Sequence, residues 1–338
     1  MNLSNERIES RDRYAVQLHV LSGLVRHDDH RPGTQINRLD APQTLPPARL
    51  MDFVSLTKPE VLLLVLIATG AGYLMASTSL LDPLVLFNAV LGTALVAGGT
   101  AALNHYAERT YDGKMRRTAN RPLPAGRLTP RAALGFGIVL SIAGTLYLAV
   151  ACNLLTSMIG LAALLVYLLL YTPLKRRTDL CTLVGAFPGA APILMGWAAV
   201  RDDLSLGAWV LYAILFFWQF PHFLAIGWMY RDDYARAGML MTPENDRDGA
   251  VAFHQVWIMS AALIVMSFFP AVLGMAGKVY LFASLCLGLW LLFYVRRAAM
   301  ERTNASAKEL LNATIFYLPL LFSMMVLNKS APLYVLLG

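Results

Sequence analysis

Charge is scarce in this chain. Of its 338 residues, 14% are Asp, Glu, Lys or Arg, against 57% hydrophobic, and the mean hydropathy is +0.54. Soluble domains carry roughly a quarter charged residues, so the composition excludes that class and predicts a polytopic membrane protein. Cysteine is scarcer still. Cys152, Cys181 and Cys286 lie far apart, which excludes a disulfide framework or a zinc-ligand spacing. They read as small apolar fillers. Residues 1–49 lack any long apolar run, so they form neither a signal peptide nor a span. Their acids, Glu6, Glu9, Asp12, Asp28, Asp29 and Asp40, argue against a transit peptide. Mixed charge broken by Pro and Gly predicts a disordered cytoplasmic tail there, with residues 50–338 forming the membrane domain.

What is abundant is the apolar run. Nine segments approach the ~20 residues needed to cross a bilayer. Their cores are Val61–Ala76, Leu84–Ala102, Ala132–Ala151, Leu155–Tyr171, Thr182–Val200, Leu206–Met229, Val256–Met275, Val279–Val295 and Leu311–Leu327. The fold class expected is therefore all-α. A net charge of +7 suggests nucleic acid until the charges are located. Counted with the tail, 25 of the 28 Lys and Arg fall in alternate loops; only Arg201, Lys278 and Lys329 fall in the others. That alternation is a topology signal, not a nucleic-acid surface. It predicts nine transmembrane helices, a cytoplasmic N-terminus and an outside C-terminus.

One stretch on the expected cytoplasmic side concentrates the chemistry: Asn104 to Arg127, NHYAERTYDGKMRRTANRPLPAGR. Asn104, Glu108 and Asp112 stand at i, i+4 and i+8, along one helical face about 6 Å apart. Two carboxylates that close repel by roughly 3 kcal/mol at an effective dielectric of 20. No Lys or Arg shares that face in sequence. A hard divalent cation relieves the repulsion, and Mg²⁺ takes a few carboxylate oxygens together with substrate phosphate. Lys114, Arg116, Arg117 and Arg121 follow at once and suit a diphosphate. Pro122 and Pro124 are expected to stop the helix. The alternative is a solvated juxtamembrane loop with positive-inside charge.

Three further stretches carry polar groups. Tyr171 to Thr178 reads YTPLKRRT, where Pro173 ends a helix and Lys175, Arg176 and Arg177 offer a second clamp or an ordinary inside-positive anchor. Tyr230 to Gly238 reads YRDDYARAG. Asp232 and Asp233 there either complete a metal site opposite Glu108 and Asp112 or pair within their loop. His222, in Trp218-Gln-Phe-Pro-His-Phe223, lies within the sixth span, where an ionisable residue defaults to a functional role. A neutral histidine bonded to a neighbour is its alternative. His105 is placed at the water edge with no special role.

Together these residues resemble the protoheme IX farnesyltransferases, the haem branch of the UbiA superfamily of intramembrane prenyltransferases. The likeness rests on Asn104…Glu108…Asp112-Gly-Lys-Met-Arg-Arg-Thr118…Arg121-Pro-Leu-Pro124, on Thr57-Lys-Pro59 and on the YTPLKRRT stretch. Phe187-Pro-Gly-Ala190, Gly196-Trp197, Pro221-His-Phe223 and the DDYARAG stretch extend it over roughly residues 51–330. The resemblance implies nine helices around a central cavity, Mg²⁺, farnesyl diphosphate and haem B. It implies transfer of the farnesyl group to a haem vinyl group with addition of water, giving haem O. Asn104, Glu108, Asp112, Lys114, Arg117 and Arg121 are then catalytic; Glu108, Asp112, Asp232 and Asp233 hold metal. Tyr171, Lys175, Arg176 and Arg177 clamp the diphosphate, and His222 contacts haem. The second acidic cluster departs from the D-x₃-D pattern common in the superfamily, since Arg236 follows Asp232 by four. The setting implied is the bacterial inner membrane with the site facing the cytoplasm. A UbiA-type enzyme with an aromatic acceptor such as a hydroxybenzoate stays open, as does a secondary transporter. Polar clusters at one face disfavour the latter.

Overall fold

The computed structural model describes residues 49–77, 81–242, 246 and 248–330. The expected tail therefore lies, apart from Arg49, outside the described residues. Among the described residues the elements are α1 (Leu50–Leu56), α2 (Pro59–Ala76), α3 (Pro83–Asp112), α4 (Pro130–Ala151), α5 (Leu154–Leu174), α6 (Cys181–Arg201), α7 (Leu206–Met229), α8 (Arg231–Ala237), α9 (Ala250–Val272), α10 (Lys278–Glu301) and α11 (Asn304–Leu327). All but the short α1 and α8 are long and apolar enough to span a bilayer, which gives nine spans among the described residues.

Helix ends differ from the apolar cores because polar residues prolong a helix beyond the hydrocarbon. α3 runs ten residues past Ala102, so Asn104, Glu108 and Asp112 ride on the helix itself. Pro122 and Pro124 do not end it; α3 stops at Asp112, where the Thr118 hydroxyl donates to the Asp112 carbonyl oxygen at 2.7 Å. Residues 113–127 form a chain of turns instead. α9 and α11 likewise begin before their expected cores, α11 on a Thr303 cap that accepts from the Ser306 amide.

The helices are not equivalent. In α6 and α7, 61% of the apolar stretch is buried, against 28% in α4, α5, α9 and α10. α6 and α7 therefore form the interior, while residues such as Val139, Leu146, Phe282 and Phe316 face outward as lipid-side surface. α2 lies against α6 at backbone contact. A Cβ on Gly196 would stand 1.9 Å from the Thr69 carbonyl oxygen, and one on Gly72 2.1 Å from that of Ile193. Only glycine permits this approach, the small-residue packing usual between membrane helices. Pro188, Pro192 and Pro221 sit inside α6 and α7, as bilayer helices tolerate.

Contacts sort the loops into two ends. At one end Lys58 meets Asn104, Arg127 meets Asp52, and Arg302 meets Asp248. At the other, the Tyr73 hydroxyl donates to the Asp82 carbonyl oxygen, and Lys329 donates to the carbonyl oxygens of Leu74, in the last turn of α2, and of Ser77 just after it. The first, polar end carries the site.

Candidate active site

A cavity of about 380 Å³ opens at the polar end between α2, α3, α5, α6 and α7. Its lining reaches from Asp112 back to Thr93 on α3, which is about 28 Å of helix rise. Lys58, Glu108, Asp112, Arg117, Arg121 and Lys175 ring the mouth. Below them the walls are apolar or aromatic, with Tyr167, Tyr171, Trp218 and Phe223 beside small residues such as Gly160, Gly185 and Gly189. His222 lines this lower part.

The carboxylates at the mouth are not left to repel each other. Lys175 Nζ stands 2.7 Å from Glu108 Oε1, and Arg121 Nη1 donates to both Asp112 oxygens at 2.9 Å. The sequence showed no cation on that helical face; the fold brings one from the end of α5 and another from the turns after α3. Glu108 and Asp112 are 6% and 1% exposed, so both pairs are largely shielded from water. Burial works against the Lys175 charge, but Glu108 and the Tyr171 and Tyr167 hydroxyls reverse the balance and hold it well above the ordinary lysine value. Its Nζ lies 4.5 Å from the centroid of the Tyr171 ring.

Asn104 is wholly buried and does not line the cavity. It works as a strut: Oδ1 accepts from Lys58 Nζ at 2.8 Å, and Nδ2 donates to the Thr172 hydroxyl at 3.3 Å. Thr172 follows a π-helical turn, Tyr167–Tyr171, that loosens α5 just before Pro173. Its hydroxyl donates to the Tyr167 carbonyl oxygen at 2.9 Å. The wide turn directs both Tyr167 and Tyr171 into the cavity, ring centroids 4.8 Å apart.

Lys58 was not among the expected site residues, although Thr57-Lys-Pro59 belongs to the motif. Its backbone is left-handed, φ 52° and ψ 66°, between α1 and the proline that starts α2. Such a conformation costs a non-glycine residue about 1–3 kcal/mol, and it carries the side chain into the mouth. Burial, reinforced by the nearby positive charges of Arg121 and Lys175, pushes the ammonium down to about 7. The turn that recruits it has no signature in local sequence.

The remaining expected residues divide. Arg117 lines the mouth, its guanidinium 4.9 Å from the Tyr230 ring centroid and 3.4 Å from the Tyr234 hydroxyl. Lys114 and Arg177 are exposed and outside the cavity lining. Arg176 packs over Tyr111 and lines a separate hollow of about 260 Å³, which shares Glu108 with the main cavity. Asp233 is buried at the start of α8, where it accepts from the Arg117 amide at 3.1 Å and pairs with Arg236. Asp232 is exposed. Neither lines the cavity, and no three His, Cys, Asp or Glu side chains converge on a metal position among the described residues. The structure thus brings together two of the four expected metal ligands, Glu108 and Asp112, because Asp233 folds onto the loop backbone instead. His105 is not at the water edge: it is 3% exposed, and neither ring nitrogen has a partner.

A cationic mouth over a long apolar cavity, inside a bundle of helices long and apolar enough to span a bilayer, defines an integral membrane protein. The chain matches the UbiA prenyltransferase family over residues 65–322. It is 48% identical to the protoheme IX farnesyltransferase of Solibacter usitatus, covering 83% of this chain and 99% of the relative. It is 44% identical to that of Koribacter versatilis, covering 83% and 94%. Its fold matches a digeranylgeranylglyceryl phosphate synthase at TM-score 0.69 and 15% identity, over 83% of this chain and 98% of that one. A UbiA homolog from Archaeoglobus fulgidus, bound to DMAPP and Mg²⁺, matches at 0.63 and 14%, over 81% and 99%. The chain belongs to the UbiA prenyltransferase family, in the branch of the protoheme IX farnesyltransferases.

Proposed function

We propose that this protein transfers the farnesyl group of farnesyl diphosphate to a vinyl group of haem B, with addition of water, giving haem O. The observation that carries this reading is the mouth, where four basic side chains, Lys58, Arg117, Arg121 and Lys175, surround two carboxylates above an apolar cavity. Protoheme IX farnesyltransferases at 48% and 44% identity support haem as the acceptor over a phenol.

Glu108 and Asp112 suit a hard cation. They are oxygen donors one helical turn apart, beside cations that fit phosphate, and Mg²⁺ usually takes one or two carboxylates with the rest from water and substrate phosphate. They would hold the ion, which when bound supplies positive charge to the diphosphate oxygens. Arg121 and Lys175, released from their carboxylates, turn to the diphosphate and offset the charge that grows as the allylic C–O bond breaks. Lys58 and Arg117 close the ring. Tyr167 and Tyr171 present ring faces to the allylic cation just below, and the apolar walls keep water from it. The site works at the cytoplasmic face of the inner membrane, the side to which the Lys- and Arg-rich loops are assigned.

The test is to incubate purified protein with farnesyl diphosphate, Mg²⁺ and either haem B or a hydroxybenzoate, and to read products by mass. Farnesylated, hydrated haem is expected, and removal of Mg²⁺ stops its formation. A prenylated phenol with unchanged haem would assign the protein to the aromatic-acceptor class.

A further inference from the structure

His222 sits on α7 seven residues, or about 10 Å, from the polar end of that helix, and its ring lines the cavity. One face stacks on Trp218 with centroids 4.7 Å apart, and Phe223 meets it edge-on. Nδ1 lies 3.0 Å from the Thr314 hydroxyl oxygen of α11. The direction of that bond follows from the partner. The Thr314 hydroxyl has one proton, which it donates to the Leu311 carbonyl oxygen at 2.6 Å. Thr314 Oγ1 can then only accept, so Nδ1 carries the ring proton. Trp218 braces the same residue, its Nε1–H donating to the Thr314 carbonyl oxygen at 2.7 Å. The neutral ring therefore presents an unprotonated Nε2. That nitrogen has no protein partner among the described residues, and it is not one of the sealed polar atoms.

A fixed imidazole with one nitrogen held as donor and the other bare is a base positioned by its second bond. We propose that His222 is the general base for the water-addition step of the reaction. This rests on the haem-farnesylating reading given above. The allylic C1–O bond breaks, and the diphosphate leaves with its electron pair. The vinyl π pair forms a bond to C1 and leaves the vinyl carbon next to the pyrrole electron-deficient. A water oxygen bonds to that carbon while His222 Nε2 takes one water proton. The imidazolium later returns the proton to the departing diphosphate or to water. Haem B, farnesyl diphosphate and water are thereby balanced by haem O, diphosphate and one proton. An apolar cavity needs such a base, because a proton released there has no bulk water to receive it.

The test compares wild type with His222→Gln, whose amide can still donate to Thr314 but cannot take a proton. Purified protein receives haem B, farnesyl diphosphate and Mg²⁺, and products are separated by mass. Wild type gives the hydrated product. His222→Gln is expected to lose hydrated product about 100-fold. The farnesylated porphyrin it does form should be lighter by one water, through proton loss from the same cation. Its haem affinity and absorption spectrum stay as in wild type. Thr314→Val keeps the imidazole but removes its acceptor, and it should raise the share of the lighter product; Thr314→Ser restores the wild-type ratio. Unchanged products in His222→Gln overturn the proposal. So does a changed haem spectrum with an unchanged product ratio, which makes His222 an iron ligand. A loss that tracks a lower melting temperature in both His222→Gln and Thr314→Val, with no lighter product, also overturns it and leaves a structural bond. If wild type itself leaves haem unprenylated, the functional reading fails instead.

Discussion

Lys175 and Glu108, 67 residues apart in sequence, meet at 2.7 Å across the cavity mouth and tie the end of α5 to α3. Both side chains are about nine-tenths shielded from solvent. A pair in that setting holds its charges in place, and removing one partner strands the other.

Lys175→Met is therefore expected to lower stability by about 3–5 kcal/mol by leaving Glu108 buried and unpaired. Lys175→Met combined with Glu108→Gln should recover most of that loss. Thermal melting of the two single variants and the double variant in one detergent measures the coupling. Additive losses would mean that the two side chains do not act as a pair.

Lys58 gives the free site a pH dependence. Its folded-state value of about 7 lies below the ordinary lysine value of about 10.4, so the folded chain binds fewer protons between those limits. Its contribution to stability is full above about pH 10.4 and is lost as pH falls through about 7. A polyanion in the mouth recharges it. Inorganic pyrophosphate binding at pH 8 should accordingly take up about one proton, read by calorimetry in two buffers of different ionisation enthalpy. Lys58→Met should abolish the uptake. Uptake that persists in that variant would assign the proton elsewhere.

Gly196→Ala places a methyl carbon where the Thr69 carbonyl oxygen already stands, and α2 must move off α6. A cost of about 1–3 kcal/mol is expected. Gly70→Ala, on the same α2 but with nothing within 4 Å, should be neutral or slightly stabilising. Equal melting temperatures for the two variants would show that the helix contact yields freely.

The nine spans among the described residues were legible because hydropathy and the alternation of Lys and Arg are averages over many residues, which single exceptions do not disturb. The ends of the helices were not. The prolines expected to stop α3, Pro122 and Pro124, lie ten and twelve residues beyond its end at Asp112. The carboxylate face was readable from the i, i+4, i+8 spacing, since that spacing is local. Its counter-charges were not, because Lys175 and Arg121 reach it only through the fold. Asp232 and Asp233 are equivalent in sequence and different in place, since only Asp233 meets the Arg117 amide. The places of Lys58 in the mouth and of His105 in the interior were not legible, for a shared reason. One is delivered by a left-handed turn and the other is sealed by tertiary packing, and both depend on contacts distant in sequence.

On the proposed function, farnesyl diphosphate ionises at the mouth formed by Glu108 and Asp112. The most direct measurement is diphosphate release from farnesyl diphosphate in the presence of haem B and Mg²⁺, in wild type and Asp112→Asn at matched protein levels and melting temperatures. Losing a carboxylate that would hold the divalent cation should remove about 3–4 kcal/mol of transition-state stabilisation, a fall in release of roughly 100- to 1,000-fold. Release within a few fold of wild type at saturating Mg²⁺ would move the chemistry away from α3.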